Sequence, residues 1–158
     1  MEFNLLVLLF IANGSPIVAR SLLGERFQDA LDGGRLLKDG HPLLGHSKTM
    51  RGVVSAILAT ALTAPLLGVS WWIGLLIGSL AMLGDLLSSF LKRRLGLDPS
   101  AMALGLDQIP ESFIPLLICR PLLDLSWSQV FSLTMAFFFF ELLISQLLYR
   151  LGIRKHPY

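Results

Sequence analysis

The sequence predicts an all-α integral membrane protein of about five transmembrane helices, with two cytoplasmic loops, the N-terminus outside and the C-terminus inside. Three observations carry this expectation. Of 158 residues, 54% are hydrophobic and 15% charged, whereas a soluble domain is nearer ~25% charged; mean hydropathy is +0.68. Apolar runs fall at about 3–19, 53–69, 71–91, 109–125 and 127–149, and each approaches or exceeds the ~17 residues that span a bilayer. Twelve of the 13 Lys and Arg residues lie in 20–52, in 92–94 and in the tail from Arg150. With five spans these segments share one side, which the positive-inside rule makes cytoplasmic. The length suits a single domain over 1–158. Net charge is only +2, and the lone Cys119 excludes an internal disulfide. Met1-Glu2-Phe3 lacks a basic n-region, so the first apolar segment reads as retained.

Taken in order, the first span contains Asn13-Gly14-Ser15-Pro16. Proline removes a backbone donor and clashes with the preceding turn, so a break or kink is expected, of the kind that lines a cavity. The second and third spans meet at a short turn near Val69-Ser70 and form a hairpin. Trp71, Trp72 and Trp127 sit at turns, as in an aromatic belt. Gly74 and Gly78, four apart, mark a close helix contact, read as internal packing. In the fourth span, Glu111 and Arg120 are expected to pair with each other or with other helices. Glu141 interrupts the fifth, and Phe137–Phe140 is packing or lipid-facing surface.

Asp85 stands inside the third span. A carboxylate there is costly and usually functional; its structural alternative is a pair with Arg120 or Lys92. Asp85, Ser88, Ser89 and Lys92 recur at i, i+3, i+4 and i+7 and share one helical face. The first cytoplasmic loop adds Asp32-Gly33-Gly34-Arg35 and Asp39–Gly52. Its glycines let backbone amides approach an anion, and Lys48, Thr49 and Arg51 add charge and hydrogen bonds. The spacing is not that of a Walker A loop. His41 and His46 lack the partners that zinc requires. A hard cation with oxygen ligands fits Asp85 and Asp107 better, the latter at the start of the fourth span. Two carboxylates, several cations and glycine-rich loops on one side are the parts for phosphoryl or nucleotidyl transfer.

Asn13-Gly14-Ser15-Pro16, Asp32-Gly33-Gly34-Arg35, Asp39–Gly45, Lys48–Gly52, Gly84–Arg94 and Leu106-Asp107-Gln108 occur in this order. Together, over about 10–115, they resemble the CDP-archaeol synthase family, which is related to the phosphatidate cytidylyltransferases. Ser89-Phe90-Leu91-Lys92-Arg93 is similar to the start of the broader cytidylyltransferase signature. The resemblance implies Mg²⁺-dependent attack of a lipid phosphate monoester on the α-phosphorus of CTP, releasing a CDP-lipid and pyrophosphate. It implies Asp85, Asp107 and Lys92 as catalytic residues. Metal ligands would be Asp85 and Asp107, with Glu111 standing in for a second family aspartate. Substrate contacts would be Asn13, Asp32, Arg35, Lys48, Thr49, Arg51, Ser88, Ser89 and Arg93. Two departures are Pro99-Ser100, where the signature has Pro-Gly, and Ile109-Pro110-Glu111 after Leu-Asp-Gln.

Two other readings compete. Asp32-Gly33 superficially resembles the start of the CDP-alcohol phosphotransferase motif, but the downstream aspartates are absent. A small membrane transporter or assembly subunit would use Glu111, Arg120 and Glu141 for coupling or packing, without accounting for the loop glycines and cations. Basic residues bordering spans, with few interleaved aromatics, argue against nucleic acid. Oligomeric state has no sequence signal.

Overall fold

The computed structural model describes residues 1–98, 101 and 103–150, so Pro99-Ser100 and the tail cations Arg154 and Lys155 lie outside the described residues. Five α-helices follow one another: α1 (Glu2–Leu23), α2 (Met50–Thr63), α3 (Trp71–Arg94), α4 (Gln108–Cys119) and α5 (Trp127–Arg150). Short 3₁₀ turns extend α2 (Ala64–Leu67) and α4 (Arg120–Leu122). Helices adjacent in sequence pack together, α5 returns to α1 to close the ring, and α3 also touches α1 across it. The described residues form no strand, only two isolated bridges, Ala30 to Thr49 and Leu36 to Pro42.

Among the described residues, four helical segments are long and apolar enough to cross a membrane: Glu2–Leu23, Met50–Leu67, Trp71–Arg94 and Trp127–Leu147. The fourth apolar stretch is the exception. Its helix has 12 residues, about 18 Å at 1.5 Å per residue, well short of a ~30 Å hydrocarbon core. Pro121 explains the early end. It offers no N–H to continue the helical ladder, and the chain tightens into a 3₁₀ turn there.

The expected break at Asn13–Pro16 does not occur: α1 runs unbroken with Pro16 inside it. The residues around Pro16 add contacts to the same stretch of helix. Asn13 Nδ2 donates to Leu9 O at 3.1 Å and Ser15 Oγ donates to Ile11 O. Pro16 also lies against α2 at Gly52, where an added Cβ would sit 3.4 Å from the Pro16 ring.

The two ends of the bundle differ. At one end, Asn4 Nδ2 donates to Leu67 O and Gln129 Nε2 to Glu2 Oε1. Arg120 stacks there on Trp127, 4.4 Å from the ring centroid, which removes it from Glu111 and Asp85, its expected partners. The apolar core leads away from this end through Leu5, Leu8, Ile73, Ile77, Leu116 and Val130. Phe137 is buried in it, stacked on Phe10 at 5.0 Å, while Phe139 and Phe140 are exposed. At the other end, α1, α2 and α3 meet the 24–49 loop. Arg51 Nη1 donates to Gly24 O at 2.9 Å and Arg26 O at 2.5 Å, and Arg94 pairs with Asp39.

Candidate active site

Helix α3 changes character at Gly84. Beyond it, Asp85, Ser88, Ser89, Lys92 and Arg93 turn inward, the last four buried. Asp85 is held from the loop side: Lys48 Nζ donates to both carboxylate oxygens at 2.6 Å. One helical stretch further on, Lys92 Nζ lies 2.6 Å from Asp107 Oδ1. The Glu111 side chain, from the first turn of α4, lies beside the Asp85 carboxylate. Three acids and two lysines therefore form one cluster where α3, the start of α4 and the first loop converge. Burial alone would depress the Lys48 ammonium. The Asp85 carboxylate, helped by Glu111 and Asp107, outweighs this and raises its pKa, so Lys48 stays charged.

The loop reaches the cluster because Asp32 folds it. Its buried carboxylate accepts the backbone N–H groups of Gly34 at 3.0 Å, Leu44 at 2.8 Å and Gly45 at 3.0 Å. Desolvation raises the pKa of this group, but the amides of Gly45, Leu44 and Gly34 lower it more, and the net shift is downward. Gly33, Gly34 and Gly45 all take positive φ around it, a conformation other L-residues rarely adopt. Leu31 N–H then donates to Lys48 O at 2.7 Å. Thr49 accepts from Gly52 N–H at 3.2 Å, capping α2. Arg94 fastens the loop's far side, pairing with Asp39 and donating to Pro42 O at 2.5 Å. The His41 amide first, and Arg94 next among the lowering contacts, hold the Asp39 carboxyl below its ordinary range.

These contacts sort the expected site residues. Asp85, Asp107, Lys92, Lys48 and Glu111 come together. Asp85 pairs with Lys48, not with Arg120 or Lys92 as its structural alternative had it. Arg93 is 2% exposed; its Nη2 donates to Asp98 O at 2.8 Å, while Nε and Nη1 have no partner. Unpartnered buried N–H groups of this kind suit an anion. Ser89 is buried on the same helix, and Ser88 Oγ is spent on Gly84 O at 2.9 Å. Asp32, Thr49 and Arg51, expected to touch substrate, make the loop and capping hydrogen bonds given above. Asn13 bonds within its own helix, and the Arg35 side chain is exposed. Arg94 and Gly84 were not singled out from the sequence. The signal for Arg94 was the unbroken Lys92-Arg93-Arg94 run, and for Gly84 a glycine directly before a membrane carboxylate.

Among the described residues no three acids, histidines or cysteines gather closely enough to hold a metal by themselves. Mg²⁺ does not require that. It binds through one or two carboxylates with substrate phosphate oxygens and waters completing the octahedron. Asp85 and Asp107 supply hard oxygen donors of the right kind, and Glu111 adjoins them.

The described residues define a class of all-helical protein with several membrane-length apolar helices and acids and lysines clustered near one end of the bundle. A solved structure described as an intramembrane enzyme for archaeal membrane lipids biosynthesis shares the fold, with a TM-score of 0.73 over 87% of this chain and 90% of that one at 23% identity. Residues 4–158 match the family model for the CarS-like CDP-archaeol synthases. The CDP-archaeol synthase of Sulfurisphaera tokodaii is 32% identical over 94% of this chain and 85% of its own. That of Thermococcus kodakarensis is 31% identical over 94% and 90%. The chain belongs to the CarS-like CDP-archaeol synthase family.

Proposed function

We infer that this protein is a CTP-dependent lipid cytidylyltransferase that makes CDP-archaeol. An oxygen of a lipid phosphate monoester attacks the α-phosphorus of CTP, the bond to the β-phosphate oxygen breaks, and pyrophosphate leaves. The observation that carries the reading is the pairing of Lys48 with Asp85 and of Lys92 with Asp107 in one membrane-embedded cluster. It supplies cations for a triphosphate and carboxylates for a metal within reach of a lipid headgroup.

In this reading Asp85 and Asp107 would hold Mg²⁺, which would supply positive charge to neutralise the triphosphate. Lys48 and Lys92, now paired with those carboxylates, turn to phosphate oxygens. Arg93 offers its unpartnered N–H groups to a phosphate, in the bidentate manner guanidinium allows. The loop fixed by Asp32 keeps Lys48 in place, so little reorganisation accompanies the reaction. The whole chain acts as one domain. The charge distribution supports a site facing the cytoplasm from the cell membrane, with the N-terminus outside.

The test is an assay of purified protein with labelled CTP, Mg²⁺ and lipid phosphates that differ in tail chemistry. The expected result is a CDP-lipid with one pyrophosphate per turnover, fastest with isoprenoid ether tails. Folded protein that consumes no CTP with any lipid phosphate would overturn the reading.

A further inference from the structure

Gly84 is a place where α3 and α4 come too close for any side chain. A Cβ built there would lie 2.4 Å from the Pro110 carbonyl oxygen, 2.6 Å from the Pro110 carbonyl carbon and 2.8 Å from the Glu111 amide nitrogen. All three are backbone atoms, so no rotamer change relieves the clash; α4 itself must move. The residues on either side of this contact are those of the cluster. Asp85 follows Gly84 directly, Glu111 follows Pro110, and Asp107 opens the same α4 turn and pairs with Lys92 at 2.6 Å.

We propose that Gly84 is a positioning residue of the transfer reaction. Its missing side chain seats the first turn of α4 against α3 and so sets the reach of Asp107 to Lys92 and of Glu111 to Asp85. The inference rests on the cytidylyltransferase reading. It differs from ordinary close packing, for which α3 provides its own control. Gly74 is equally tight: a Cβ there would lie 2.5 Å from Ala64 Cβ and 2.7 Å from Thr60 O. That contact is with the α2 region, near the end of the bundle away from the cluster.

The experiment compares Gly84→Ala with Gly74→Ala in the full-length protein, by melting temperature and by kcat and KM for CTP. Both substitutions should lower the melting temperature. Gly84→Ala should lower kcat per folded molecule at least tenfold; Gly74→Ala should hold it within twofold. Asp107→Glu adds one methylene of reach. It should slow the wild-type enzyme yet recover at least threefold of the rate in the Gly84→Ala background, a reversal that a general packing defect would not produce. If Gly84→Ala does not yield folded protein, Gly84→Ala/Pro110→Gly, which loosens the opposing turn, takes its place with the same expected kcat loss. Wild-type kcat in the Gly84 variant, or equal losses at Gly84 and Gly74, would overturn the proposal. An inactive wild-type protein would instead overturn the reading beneath it.

Discussion

From Trp71 to Met82, α3 buries Ile73, Ile77 and Ala81, the two isoleucines in a core shared with Leu5, Leu116 and Val130, and packs on α2 through Gly74 and Gly78. From Gly84 to Arg94, the same helix buries Ser88, Ser89, Lys92 and Arg93, with Asp85 beside them, and packs on α4 through Gly84. Both halves use glycine to bring a neighbour close. In the first half closeness gains dispersion and excludes solvent from apolar groups. In the second it brings opposite charges together where they are largely shielded from water, which strengthens each interaction and makes each member costly to leave alone. Stability and chemistry are thus divided along one helix.

Four changes would break or sharpen that division. Asp85→Asn should have the largest effect. In the role proposed for it, a metal-holding carboxylate would contribute several kcal/mol of transition-state stabilisation, so kcat should fall about a thousandfold at about 1.4 kcal/mol per factor of ten. Labelled-CTP turnover by the folded variant measures this, and turnover like wild type would remove Asp85 from the chemistry. Ile77→Ala, two turns earlier, should do the reverse, costing about 3 kcal/mol of stability while kcat per folded molecule stays within twofold. A denaturation midpoint beside an activity assay separates the two.

Asp32→Asn should be milder, because amide hydrogen bonds to a charged acceptor contribute about 1.5–3 kcal/mol net and Asn keeps one acceptor oxygen. The effect should depend on pH in one direction. The Asp32 pKa is lowered in the folded protein, so its contribution is full above about pH 4, the ordinary carboxylate value. It is lost as pH falls through the lowered value. The melting-temperature gap between wild type and variant should therefore be constant above that pH and close below it; a gap that widens on acidification would contradict the amide cradle. Arg35→Ala should change least, within about 0.5 kcal/mol of stability as for an exposed residue. A tenfold rise in KM for CTP would return Arg35 to the site.

The fold class was legible because bilayer length and apolar composition are local properties. The five segments, the α2–α3 hairpin and Asp107 at the head of α4 all followed from runs and punctuation. Helix continuity was not, since Pro16 packs against α2 at Gly52, a contact that sequence spacing does not reveal. The α4 length was visible only in Pro121, which the apolar run obscured. Within the site, the α3 face was readable from helical periodicity. The Lys48–Asp85 pair was not, because it joins residues 37 apart through a loop whose shape depends on one carboxylate meeting three amides. The family resemblance marks Asp32 as a substrate contact, whereas the hydrogen bonds its carboxylate accepts from Gly34, Leu44 and Gly45 depend on a loop shape that spacing does not show.

The central claim is that the second half of α3 meets a nucleotide. Thermal unfolding of the purified protein with CTP, with and without Mg²⁺, tests it most directly. At about 100 times the dissociation constant, binding adds about 2.7 kcal/mol to the folded state. The account predicts an upward shift of the melting temperature that requires both CTP and Mg²⁺, is lost in Asp85→Asn and is kept in Ile77→Ala. No shift at millimolar CTP with Mg²⁺, or an equal shift in Asp85→Asn, would contradict it.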